Sequence, residues 1–434
     1  MPETEQLAAR LNRDCHCINI DEDALRRRLV AHLCESGVDN SFVDPGHYPF
    51  AASPVFVSPA DVNDMLQFVT AFEHVIHIST VRDRLLAHAL DIARHDFGTR
   101  GAFVSYDFHL AVDGPKLIEV NTNAGGVLLN LYLAAAQKAC CTDVDRLVGG
   151  IIDFDTVERQ LVGMFREEWR LQKGENELGR IAIIDEDPES QPLHAEFLLF
   201  RSMFRRAGID AVIASPKDLR FHDGGLMAAG LSVDMVYNRL TDFYLQGASL
   251  QVLRDAYRAG STVVTPAPFH YALYADKRNL VVLSDDALLA ELGVGEEARR
   301  VLKHRLPATR NVIPENAADL WAGRRQLYFK PATGFGSRGT YRGAKLTRRV
   351  WEQIQQSDYV AQQLVPPSER RIIVNGEMRD MKVDLRCVTY GGVAQQLSAR
   401  IYQGQATNLR SGGGGIATVF ATPAGMGSEP VFPC

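Results

Sequence analysis

Residues 102–121 can fold into little other than a β-hairpin, and that hairpin gathers oxygen-bearing side chains on one face. The run 102–110 is rich in aromatic and β-branched residues, Val112-Asp113-Gly114-Pro115 is turn chemistry, and 116–121 is a second strand-like run. Alternation puts Glu119 and Asn121 on the same face of the second arm, and the turn folds Asp107 of the first arm back beside them. Two carboxylates and an amide oxygen converging in this way suit Mg2+, which keeps several waters and bridges substrate phosphates. A solvated hairpin with its charges outward would share the alternation. The turn NTNAGG at 121–126 argues against it, because a strand that ends in such a turn commonly builds a site.

The flanks change character on either side. Residues 1–95 read as mostly helical, with apolar positions at helical spacing over 61–75 and 79–93, preceded by an irregular Pro- and Gly-containing loop at 43–59. A helix is expected over 127–139. From residue 180 the pattern becomes βα repeats, with strands at 181–184, 211–214, 233–239 and 262–265 and a helix at 193–207 closed by Gly208. That predicts an open, largely parallel sheet. The sequence after its first strand is DEDPES rather than a glycine-rich fingerprint, which excludes a dinucleotide site. Past Pro266-Ala267-Pro268, helices are expected at 277–283 and 296–304, followed by strands at 327–330, 359–365, 382–389 and 393–401. The run Gly412-Gly413-Gly414-Gly415 reads as the end of the ordered pattern, with 425–434 as a tail.

Composition narrows the function classes. Lys and Arg number 47 and Asp and Glu 53, a formal charge of −6 that excludes a nucleic-acid surface and a polybasic membrane anchor. The N-terminus has no apolar stretch of the signal-peptide kind, and the longest apolar run, 127–136, is broken by Asn130 and too short to span a bilayer. Seven cysteines in irregular positions predict free thiols in a reducing, cytoplasmic setting. Cys15-His16-Cys17 is an incomplete zinc set.

A second chemical element is the loop FKPATGFGSRG at 329–339. Lys330 stands at a strand end, followed by Gly334, Gly336, Ser337 and Gly339, so backbone N–H groups can approach phosphate oxygens without a Cβ in the way. It is not the Gly-Lys-Ser/Thr loop that opens a helix. A flexible turn with no ligand would give the same composition.

Together these segments resemble the ATP-grasp ligases, among them the glutathione synthetases and D-alanine–D-alanine ligases. LIEVNTNAGG at 117–126 resembles their metal-binding strand end, and Asp107 in YDFHLAVDG falls where they carry the other metal carboxylate. YADK at 274–277 resembles the segment with the first ATP lysine, and VAQQLVP at 360–366 the adenine hinge. Asp384-Leu385-Arg386 and ARIYQGQATNLRSGG at 399–413 resemble the stretches that handle the acyl phosphate. The order departs from the usual one: the metal strand precedes the lysine and arginine segments instead of following them. This resembles the circularly permuted arrangement of eukaryotic glutathione synthetases and glutathionylspermidine-synthetase-like proteins. Gln363 stands where many relatives have an acidic hinge residue, which leaves the ribose contact open, with Glu369 as a candidate.

The resemblance implies an α/β chain with a permuted ATP-grasp fold and a Rossmann-like, parallel-sheet substrate domain. Its parts would be 1–150 (helical region and metal hairpin), 178–270 (central domain), 271–424 (lysine, glycine-loop and arginine region) and the tail 425–434. It implies ATP held by Lys277, Lys330, the loop Gly334 to Gly339, Gln362, Gln363, Leu364 and Val365, and one or two Mg2+ held by Asp107, Glu119 and Asn121. Arg386, Arg400 and Arg410 would act on the acyl phosphate and the tetrahedral oxyanion. The reaction implied is carboxylate–amine ligation on small molecules, of the glutathione-synthetase type or of a natural-product or peptide ligase. A non-catalytic ATP-binding regulator is the other reading. Arg239, at the end of a central strand, could clamp a substrate carboxylate or form a helix-capping ion pair. A homodimer is the commonest assembly for such a chain.

Overall fold

A computed structural model describes residues 3–16, 18–33, 48–139, 154–334, 336–409 and 411–422. Three sheets matter for the site. The largest has seven strands, running Val55–Val57, Gly415–Ala421, Val393–Tyr402, Glu377–Tyr390, Val104–Ala111, Gly114–Asn121, with Ser368–Val374 also paired to Glu377–Tyr390. The 14-residue strand Glu377–Tyr390 is its spine. One half of that strand's edge pairs with Ser368–Val374, and the other half pairs with the hairpin arm Val104–Ala111.

Alternation decides which face of this sheet does what. Val104, Tyr106 and Phe108 point into a core with Met65, Phe68 and Phe72 of the helix Pro59–Ile76. That helix starts where Ser58 accepts a hydrogen bond from the Asp61 N–H and Pro59 takes a first-turn position that needs no donor. Its apolar stripe then recurs at helical spacing and covers the back of the sheet, with edge-on ring contacts such as Phe72 to Tyr106. The opposite face, carrying Asp107 and Glu119, is left for chemistry.

Facing it is a four-stranded antiparallel sheet in the order Thr309–Asn311, Tyr359–Gln363, Leu327–Pro331, Tyr341–Arg342. The third sheet is the parallel one, ordered Val263–Thr265, Met235–Asn238, Arg180–Ile184, Asp210–Ala214, and every pairing in it is parallel as the βα pattern required. Its strands are buried runs of Ile, Val and Ala. No helix among the described residues is long and apolar enough to cross a membrane.

Several elements differ from the sequence reading. The apolar run from residue 127 is helical only over Val127–Ala135, and Gln137–Ala139 leaves it to pair with Ile18–Ile20. The stretch 79–93 is a helix to Leu85 and then two short 3-10 turns, Leu86–His88 and Asp91–Arg94. Part of the loop read as irregular forms the edge strand Val55–Val57. The glycine run does not end the order. Gly415–Ala421 is an inner strand of the largest sheet, and a Cβ on Gly414 or Gly415 would stand 2.3 Å from the Ile401 carbonyl oxygen or 2.2 Å from that of Pro49. The glycines therefore permit close backbone contact. The helix Phe154–Lys173 and the small antiparallel sheet over 219–233 were not read from the sequence. The tail 425–434 lies outside the described residues.

Candidate active site

The hairpin brings Asp107 opposite Glu119 in register, and Asn121 follows on the same face. The Asn121 amide donates to Asp107 at 3.1 Å and to Glu119 at 3.4 Å. Across the sheet, Arg386 pairs in register with Asp107 and binds its carboxylate through two parallel bonds of 2.7 and 2.8 Å. Arg400, on the next strand, donates to Asp107 at 2.7 Å and to Asp384 at 2.7 Å, and Thr407 donates its hydroxyl to the other oxygen of Asp384. Burial opposes ionisation of Asp107, but Arg386 and Arg400 outweigh it and hold the carboxyl at about 2. Burial likewise works against the Arg400 charge, yet Asp107 and Asp384 more than compensate and raise its basicity.

The opposing sheet supplies Lys330, which is almost fully buried. Its ammonium donates to the Ile118 carbonyl at 2.7 Å and to the Gln362 side-chain oxygen at 2.8 Å, so it touches the hairpin between the candidate metal residues. Burial is the main reason its pKa falls to about 8. Lys277 is tied to the root of the glycine loop, its backbone N–H to the Ala332 carbonyl at 2.9 Å and its ammonium to that of Gly334 at 3.2 Å. In the loop, Gly334, Gly336, Ser337 and Gly339 all take positive φ, a cost only the serine bears.

Between the two sheets lies a cavity of about 560 Å³, lined by Asp107, Glu119, Lys330, Ser337, Arg400 and the hinge residues Gln362, Gln363, Leu364 and Val365, among others. Strands more than 200 positions apart in sequence meet there, as the 293-residue separation of Arg400 from Asp107 shows. Arg386 itself is not part of the lining: it stands behind Asp107, its other contact being the Gly125 carbonyl at 3.3 Å. The hinge also differs in detail from expectation. The Gln363 and Leu364 N–H groups already bond the carbonyls of Ala308 and Gln326, and among the described residues nothing accepts from the Val365 N–H. Glu369 is exposed and does not line the cavity. Arg410 lies outside the described residues. Arg239 is buried among Tyr237, Glu196 and the Ala124 carbonyl and serves the interior. Sequence reasoning missed His109, which shares the Asp107 face two positions on, and the part played by Asp384 and Thr407.

The residues present fit a nucleotide with a divalent cation. The Gln362 amide nitrogen is buried with no partner among the described residues, as a donor awaiting a ligand would be. Cationic Lys330, Lys382 and Arg400 stand round the same space as the hairpin carboxylates. Among the described residues no three His, Cys, Asp or Glu cluster closely enough to hold a metal by themselves, so a cation here depends on Asn121 and on substrate oxygens. Glu119 offers the more open carboxylate, since Asp107 already accepts from Arg386, Arg400 and Asn121.

This arrangement of sheets is an ATP-grasp-type fold of the glutathione-synthetase-like kind. The chain superposes on a glutathione synthetase-like effector from Globodera pallida with a TM-score of 0.55 at 12% identity, over 86% of this chain and 90% of that one. A putative γ-glutamylcysteine synthetase from Methylobacillus flagellatus gives 0.47 at 12% identity over 84% and 89%. D-alanyl-alanine synthetase A from Vibrio cholerae gives 0.29 at 11% over 54% and 89%. The last two scores are too low to bear on the fold. No family model and no curated protein matches the sequence.

Proposed function

We propose that the chain is an ATP-dependent ligase joining a small-molecule carboxylate to an amine through an acyl phosphate. The observation that carries this reading is the shared cavity in which Lys330, the hairpin carboxylates Asp107 and Glu119, and Arg400 converge from distant segments, with Asn121 bonded to both carboxylates. A substrate carboxylate oxygen would attack the γ-phosphorus of ATP and release ADP. The amine would then attack the acyl carbon, expel phosphate and lose a proton.

Each residue has a role set by its position. Lys330 and Lys277 would neutralise phosphate oxygens from two sides, with the loop bearing Gly334, Gly336, Ser337 and Gly339 closing over them. Gln362 and the Val365 N–H would meet the base. Glu119 and Asn121, with Asp107 giving up one guanidinium bond, would hold one or two Mg2+. When bound, that cation supplies charge neutralisation across the phosphates. Arg400, oriented by Asp384, would stabilise the tetrahedral oxyanion, and Arg386 would fix Asp107. Arg410 stays a candidate beside Arg400.

We read the order of segments as a circular permutation of the ATP-grasp fold, and the parallel sheet of 178–270 as a Rossmann-like substrate domain between 1–150 and 271–424. Unpaired Cys15 and Cys387 suit a cytoplasmic setting. The test is ADP release by purified protein against panels of amino acids, γ-glutamyl dipeptides, polyamines and peptides, with mass spectrometry of the product. Amide formation at the cost of one ATP is the expected result, and the productive pair separates glutathione-type from natural-product or peptide ligation. Tight nucleotide binding without turnover across all panels would favour a regulator instead.

A further inference from the structure

His109 sits on the same strand face as Asp107 and lines the cavity beside the hinge. Its Nδ1 is 2.8 Å from the Val365 carbonyl oxygen. A carbonyl can only accept, so Nδ1 carries the hydrogen and Nε2 of the neutral ring is left with its lone pair. Nothing among the described residues donates to that nitrogen.

Two other side-chain acceptors in the lining, the carboxylates of Asp107 and Asp384, are already engaged. Asp107 accepts from Arg386, Arg400 and Asn121, and Asp384 from Arg400 and Thr407. Glu119 faces Asp107 across the hairpin. The hinge at this point presents the Val365 N–H, a donor with no acceptor among the described residues, and His109 is held on the carbonyl of that same residue. A donor and an acceptor thus stand together where a nucleoside would lie. A purine nucleoside offers the complement in two places: a ring nitrogen next to the 6-amino group, and a ring nitrogen next to the sugar 2′-hydroxyl.

We propose that His109 is a nucleoside-binding residue whose Nε2 accepts a hydrogen bond from a donor on the bound nucleotide, the ring amino group or the 2′-hydroxyl. It takes the place of the acidic hinge residue that this sequence lacks. The inference rests on the nucleotide-binding reading above. It gives the chain a selectivity that the phosphate-binding residues cannot supply, because a site built around a hydrogen bond rejects the analogue that lacks it.

The experiment is calorimetry at pH 8 with Mg2+ and three ligands: the ATP analogue AMPPNP and the 2′-deoxy and 6-deamino (purine riboside) counterparts of the same triphosphate. Wild-type protein is expected to bind one counterpart about tenfold more weakly than AMPPNP, the value of one hydrogen bond. A loss with the purine riboside form, which lacks only the 6-amino group, identifies the amino group, and a loss with the deoxy form the hydroxyl. His109→Phe keeps the ring and removes the acceptor, so it should bind AMPPNP as weakly as wild type binds the discriminated analogue and no longer tell them apart. His109→Gln, with an amide oxygen in reach, should recover part of the preference and serves if the phenylalanine variant does not fold. Wild type that binds AMPPNP but treats all three alike, or variants that keep the wild-type preference, would overturn the role of His109 and leave the nucleotide site standing. No binding of AMPPNP by wild type would overturn both.

Discussion

An ammonium group buried like that of Lys330, with a backbone carbonyl and a neutral amide as partners, is held at about 8 instead of its ordinary 10.5. Two opposite pH trends follow. Between those values the unfolded chain binds more protons than the folded one, so this lysine makes stability rise with pH from about 8 to 10.5 in the nucleotide-free protein, and the buried charge is a cost below that window. Nucleotide affinity runs the other way, because the ammonium is lost as pH rises through 8. Urea unfolding and calorimetry from pH 7 to 10 should show both slopes in wild type and neither in Lys330→Met; affinity equally flat in the two proteins would take Lys330 away from the phosphates. Turnover should fall by ~10²–10³ in Lys330→Met and in Glu119→Gln, the loss of one preorganised charge, with thermal stability at pH 7 kept in Glu119→Gln and not lowered in Lys330→Met. At this scale much was legible. Period-two alternation fixed the common face of Asp107, Glu119 and Asn121, whereas the arginines that bind Asp107 come from strands 279 and 293 positions away, which no local pattern reports.

Between elements, the N-terminal helix Glu3–Asp14 is fastened to the largest sheet by a buried arginine with no carboxylate partner among the described residues. Arg370 donates to the carbonyls of Pro54 at 2.9 Å, Asn12 at 2.6 Å, Arg371 at 2.8 Å and Cys15. Asn12 and Cys15 stand at the helix C-terminus, where unpaired carbonyls and the helix dipole favour a cation. Burial lowers the Arg370 basicity to about 10, so it stays charged at neutral pH. Arg370→Met should leave those carbonyls unsatisfied and destabilise the protein by ~2–4 kcal/mol, with nucleotide affinity unchanged because the residue does not line the cavity. Chemical denaturation with parallel calorimetry checks it; a loss below ~0.5 kcal/mol would mean the carbonyls find water. Element boundaries were legible where an apolar period was long, as in Pro59–Ile76, and failed where tertiary pairing overrode it. Glycine at 414 and 415 was ambiguous for a physical reason: chain ends and close backbone packing both favour it.

For the molecule as a whole, the order of segments makes one sheet out of the two ends of the chain. The hairpin arm Val104–Ala111 is an inner strand only because Glu377–Tyr390 pairs with it, and Gly415–Ala421 lies between Val393–Tyr402 and Val55–Val57. The βα repeats announced the parallel sheet, but nothing local announced this closure; the resemblance of separate motifs did. A cut between 266 and 267 divides the cavity, leaving Asp107 and Glu119 on one piece and Lys330 and Arg400 on the other. Each piece then carries an unpaired strand edge and half of a shared core, so neither should unfold cooperatively or bind nucleotide alone. Residues 1–266 and 267–434 expressed together should associate through that edge and recover Mg2+-dependent binding, since backbone pairing and core burial do not need the connecting peptide. Size-exclusion chromatography and calorimetry on the separate and combined pieces decide it. Full-affinity binding by 267–434 alone would show that the hairpin carboxylates take no part in the nucleotide site.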